Sequence, residues 1–117
     1  MSVLVQQARA LLDRAGPDEP HAIRAACWVA RSALDDELRA YLRRAGAEVN
    51  GANMRSVLVV LRVIAEHDPE LAIRAEYAWA RLSDASHHHA YDLAPTLGEA
   101  RALVESVAWI ADLRSNK

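Results

Sequence analysis

Between Pro20 and Gly46 the apolar residues Ile23, Cys27, Ala30, Leu34, Leu38, Tyr41 and Ala45 recur in steps of three and four. That period belongs to one face of an α-helix; a strand alternates in steps of two. The spacing predicts a helix of about 25 residues, close to 40 Å at 1.5 Å per residue. Pro20 suits its first turn, where a missing N–H costs nothing, and Gly46 ends it.

The segments on either side follow the same period. Val3, Leu4, Ala8, Leu11, Leu12 and Ala15 form a first helix that Gly16-Pro17 stops. After the Asn50-Gly51 turn, Asn53 caps a third helix from Met54 to about His67. Its run V-L-V-V-L-R-V-I is apolar on most sides, which predicts the most buried helix of the set. β-branched valines also suit a strand, but the Asn cap and the lack of a partner strand decide for helix.

Asp68-Pro69-Glu70 supplies a cap, a first-position proline and a first-turn acid for a fourth helix, which runs to His89 or Ala90. Pro95 forbids its continuation, and Thr96-Leu97-Gly98-Glu99 is a capping box for a fifth helix. In that helix Leu97, Ala100, Leu103, Val104, Val107, Ile110 and Ala111 turn inward, and it frays at Ser115. The joints are too short for crossovers. The expected fold is therefore all-α, a single domain over residues 1–117 built as an antiparallel bundle of five helices. Its expected core includes Val57, Leu58, Leu61, Ile64, Trp79, Leu82, Val104 and Val107.

A chain of 117 residues is long enough for one real core. Its net charge of −2 gives no electrostatic pull toward nucleic acid. Thirteen of its fourteen basic residues are arginine, which reads as GC-rich coding or as a supply of planar forks for anions. Cys27 has no second cysteine to pair with and reads as a small buried hydrophobe. No basic segment precedes an apolar stretch at the start, and no window approaches the roughly 18–20 apolar residues that span a bilayer. The cytoplasm is the expected compartment, without membrane contact.

Chemistry concentrates between Trp79 and Thr96, W-A-R-L-S-D-A-S-H-H-H-A-Y-D-L-A-P-T. On the fourth helix Leu71, Ala75, Ala78, Leu82, Ala85 and His89 share the apolar sector. Arg74, Tyr77, Arg81, Asp84 and His88 form a second line at spacings of three and four, with His87 turned away from it. Such a line is either a solvated face laced by Arg–Asp and Asp–His pairs, Arg81 with Asp84 and Asp84 with His88, or a polar seam in a concave or two-fold surface. Imidazoles titrate near neutral pH, so a seam holding them suits proton transfer or phosphate chemistry. Metal binding is not expected: consecutive helical histidines point about 100° apart, and Asp84 with His88 gives only two ligands. Ser83 and Ser86 carry no mark of a nucleophile, and no glycine-rich phosphate loop occurs. No cofactor is expected.

Arg81, the histidines His87 and His88 with five and six residues between them and it, the helical context and His89-Ala90-Tyr91 together resemble the HEPN superfamily (higher eukaryote and prokaryote nucleotide-binding domains). The stretch A-R-S-A-L-D-D-E-L-R-A-Y-L-R-R-A-G is similar to the family's early helix, so the resemblance spans about Ala22 to Leu113. It implies an all-α bundle, a two-fold homodimer with the fourth helix near the axis, and metal-independent endoribonuclease activity on RNA. It implies a toxin–antitoxin or defence setting, with a nucleotidyltransferase or other antitoxin as partner. In that scheme Arg81 clamps the phosphate, His87 or His88 transfers protons, and Asp84 orients the imidazole. Tyr77, Arg74, His89 and Tyr91 line the binding surface.

On a straight helix Arg81 and His88 lie about 10 Å apart along the axis, so the two groups would meet on one phosphate only across a dimer. Some members carry arginine, four residues, then His-x-Tyr. Anchored on His89 and Tyr91, that register puts the arginine at Asp84. Either Arg81 serves from one turn back, or the site is degenerate and the protein is an interaction module that binds a partner protein or nucleotide without cutting.

Overall fold

The computed structural model describes residues 2–86 and 95–115, the last two by backbone alone. Among the described residues there are five helices and no strand: α1 (Val3–Arg14), α2 (Pro20–Arg44), α3 (Met54–Ile64), α4 (Pro69–Ser86) and α5 (Leu97–Ser115). No helix among them is long and apolar enough to cross a membrane.

Local chemistry sets the helix ends. Ser2 Oγ accepts from the Val5 N–H at 3.3 Å, Asn53 Oδ1 from the Ser56 N–H at 2.9 Å, and Asp68 Oδ1 from the Leu71 N–H at 3.4 Å. The box before α5 closes both ways: the Glu99 N–H donates to Thr96 Oγ1 at 3.0 Å, and the Thr96 N–H to Glu99 Oε1 at 3.2 Å. α2 ends in a Schellman turn. Gly46, at φ +88°, donates to the Arg43 carbonyl, and Ala47 to the Leu42 carbonyl at 2.8 Å. A side chain at position 46 would be strained whatever the space around it.

α2 is the hub. It touches all four other helices, which neighbour one another around it in the order α1, α5, α4, α3. Its 25 residues nearly match the 43 Å long dimension of the molecule. Ala26, Ala30 and Ala33 are fully buried beside Leu34, Leu38 and Leu42, small residues that let the surrounding helices approach. Cys27 is also fully buried, and burial pushes its thiol up to about 11. A thiol reagent at neutral pH should therefore leave the folded protein unlabelled and titrate one equivalent in denaturant. Rapid labelling of native protein would contradict this packing.

The expectation that α3 is the most buried helix does not hold. It has neighbours on two sides only, α2 and α4, so Val59 and Val63 remain 57% and 67% exposed. Val57, Leu61, Leu82, Val104 and Val107 are completely buried as expected, while Leu58, Ile64 and Trp79 are half-buried against the core. α3 also stops at Ile64 rather than near His67. The Asp68 cap of α4 comes so soon that the chain must turn, and the Asp68 N–H bonds to the Ala65 carbonyl at 2.9 Å. Val3 and Ala45, at helix ends, are exposed.

The arginines serve a purpose the sequence did not disclose: several join one helix to the next. Arg9 forks onto Glu105 at 2.6 and 2.8 Å, and Arg101 reaches Asp13 at 3.0 Å, both between α1 and α5. Arg62 forks onto Glu76 across α3 and α4. Arg31 donates to Ser83 Oγ at 3.0 Å and lies 4.3 Å over the Trp79 ring, joining α2 to α4. Exposed pairs of this kind contribute at most about 1 kcal/mol each, so they fix the relative placement of helices more than they stabilise them.

Candidate functional site

The Asp68-Pro69 start sets the phase of α4, and burial then divides its faces. Leu71, Ala75, Ala78, Leu82 and Ala85 are buried, while Arg74, Tyr77, Arg81 and Asp84 are exposed in a sector roughly a quarter-turn or more round the helix. The angular reading of the sequence thus holds for these residues. His87, His88, His89 and Tyr91 lie outside the described residues.

α5 supplies the other wall. Tyr77 and Arg81 line a shallow groove with Glu99, Ala102, Leu103 and Ser106. Arg81 Nη2 stands 3.4 Å from Glu99 Oε2, each side chain about half exposed. The expected Arg81–Asp84 pairing along one helix is absent, because Arg81 crosses to α5. Asp84 is exposed, with no ion pair or hydrogen bond among the described residues, and does not line the groove. Arg74 is drawn the other way. It pairs with Glu70 at 2.9 Å, and its guanidinium lies 4.4 Å over the Trp109 ring of α5. Arg74 therefore helps to dock α4 on α5 instead of lining the groove.

Glu99 is the groove residue that the sequence did not point to. Its capping role was visible in Thr96-Leu97-Gly98-Glu99; its pairing with Arg81 needs the packing of α4 on α5. The bonds with Thr96 hold its carboxyl below the usual carboxylate range, first the backbone N–H and then the hydroxyl, with Arg81 adding to the effect. Arg81 therefore faces a carboxylate that stays ionised at neutral pH. Asp84 one turn away adds a second negative charge, so the described part of this face is balanced toward acid.

At the end of α4, Ser86 Oγ donates to the Leu82 carbonyl at 2.7 Å, and Arg24 of α2 reaches the Ala85 carbonyl at 3.4 Å. A cation there complements the negative end of the helix dipole. Among the described residues no group of three or more His, Cys, Asp or Glu is placed to hold one metal ion. No family model, no curated protein and no solved structure matches the chain.

Proposed function

We propose that the chain is a HEPN-like helical bundle that works as an interaction module, binding a protein partner along the α4–α5 face without cleaving RNA. The observation that carries this reading is the Arg81–Glu99 contact at 3.4 Å. The arginine that would steady a phosphate is already matched by a carboxylate, and Asp84 occupies the position where the His-x-Tyr register calls for a cation. A phosphate reaching Arg81 would have to displace Glu99, which repels it, and Asp84 on the same line of α4 adds to the repulsion. An exposed tyrosine beside an arginine is, in contrast, the side-chain chemistry of protein interfaces. The resemblance supplies the setting: a two-copy assembly in a toxin–antitoxin or defence pair, with an antitoxin such as a nucleotidyltransferase as partner.

A ribonuclease is the second reading. It is favoured by the exposure of Arg81 and by the weakness of a half-exposed ion pair. RNA binding separates the two. Anisotropy with a short single-stranded RNA should show weak association with the wild type. In the double variant Asp84→Arg/Glu99→Gln the affinity should rise roughly tenfold or more, with a steeper salt dependence. Tight wild-type binding that is lost in Arg81→Ala would overturn the interaction-module reading.

A further inference from the structure

A second groove lies between α3 and α4, lined by Arg55, Leu58, Val59, Arg62, Glu76 and Trp79 and holding about 370 Å³. It shares no residue with the α4–α5 groove. Leu58 and Trp79 are half-buried and Val59 is 57% exposed, so a row of apolar surface meets water there. The indole is held in place. Arg31 of α2 lies 4.3 Å over its ring and donates to Ser83 Oγ at 3.0 Å. A wall already fixed by its neighbours loses little freedom when a partner covers it.

The cations of this groove are unequally committed. Arg62 forks onto Glu76, and Arg31 is engaged with Trp79 and Ser83. Arg55 has no ion pair or hydrogen bond among the described residues. It is exposed in the first turn of α3, where the helix dipole favours an anion and no acidic residue stands. α3 therefore gains nothing from that charge. An incoming carboxylate would meet both the guanidinium and the positive end of the helix. Around Trp79 the arginines at 31, 55 and 62 face one carboxylate, Glu76, so this face is positive in a chain of net charge −2.

We propose that the α3–α4 groove takes an acidic segment of a protein partner, an aspartate or glutamate on Arg55 and an aliphatic or aromatic side chain among Leu58, Val59 and Trp79. Arg55 precedes Leu58 and Val59 by three and four residues, so the two subsites lie about 5–6 Å apart along α3. An acid and an apolar residue match that distance at a spacing of two in an extended segment, or of three or four in a helix. Nucleic acid draws its affinity from many phosphates neutralised at once. Here one guanidinium is uncommitted, beside apolar surface and Glu76, which suits a single carboxylate with an apolar neighbour. The proposal is independent of the α4–α5 reading, because neither Tyr77 nor Arg81 lines this groove.

Selection of random short peptides displayed on phage against the folded chain tests the proposal. Enriched peptides should carry an acid at one of those spacings from a leucine, isoleucine, phenylalanine or tryptophan. A labelled peptide of that kind should bind the wild type at about 10–100 µM by anisotropy. Arg55→Glu and Val59→Asp should each weaken it at least roughly tenfold. Both sites are exposed, so melting should hold, and Arg55→Glu should raise it slightly by suiting the helix dipole. Changing the peptide's acid to lysine should restore binding to Arg55→Glu, which only a direct charge pair produces. Tyr77→Ala and Arg81→Ala should leave the peptide bound. A selection without the acid–apolar pairing overturns the proposal, as does binding indifferent to Arg55→Glu or lost in Tyr77→Ala. Single-stranded RNA that binds the wild type and is released by Arg55→Glu would assign the groove to nucleic acid instead.

Discussion

Leu34→Ala should lower the free energy of unfolding by about 3–5 kcal/mol, the upper part of the range for leucine truncation in a core. Leu34 is fully buried in α2, the helix that every other helix touches, and fully buried Ala30 and Ala33 stand beside it. Collapse into the resulting hole would move several helices at once, so most of the cavity persists. Leu61→Ala is the control. Leu61 is equally buried, but α3 has only two neighbours and can shift inward, so about 2–3 kcal/mol is expected. Urea titration with an unchanged slope would read both values. Equal losses, or a smaller loss at Leu34, would show that α2 is not the centre of the packing.

Arg39→Met should cost about 2–4 kcal/mol, more than any exposed arginine of the bundle. Arg39 donates to the Val49 carbonyl at 3.0 Å and the Ala52 carbonyl at 2.8 Å, and it pairs with Asp35 one turn back. One side chain thus ties the whole α2–α3 connection to the hub helix. Its side chain is only 23% exposed, so water replaces these bonds poorly. Methionine keeps the aliphatic stem and removes every donor. Hydrogen exchange between residues 47 and 53 should quicken along with the loss of stability. Arg101→Met, which removes an exposed pair with Asp13 and a long 3.3 Å bond to the Leu12 carbonyl, should cost less, about 1 kcal/mol. If the two substitutions cost the same, the connection is held by other contacts.

What could be read from the sequence is what local chemistry decides. Asn53, Asp68-Pro69, Thr96 with Glu99, and Gly46 each satisfy or reverse the backbone within a few residues, so they marked helix ends that the structure keeps. The apolar and exposed faces of α4 followed from a fixed angle per residue. Neighbours were not legible. The apolar run of α3 gave its composition but not the number of helices that would cover it, and its burial was overestimated for that reason. Arg81 looked like a partner for Asp84 because the two share a face. Glu99, eighteen residues further on, comes closer only through the packing of α4 on α5. The reach of Arg39 to two loop carbonyls left no periodic trace at all.

The proposal that the α4–α5 face binds without cutting rests on Glu99 matching Arg81 and on an acid, Asp84, one turn beyond that arginine. Incubation of the purified wild type with varied RNAs in EDTA, followed by analysis of the RNA ends, tests it most directly. RNA incubated with the wild type should remain intact. Cyclic-phosphate ends produced by the wild type, and lost in both Arg81→Ala and His88→Ala, would contradict it.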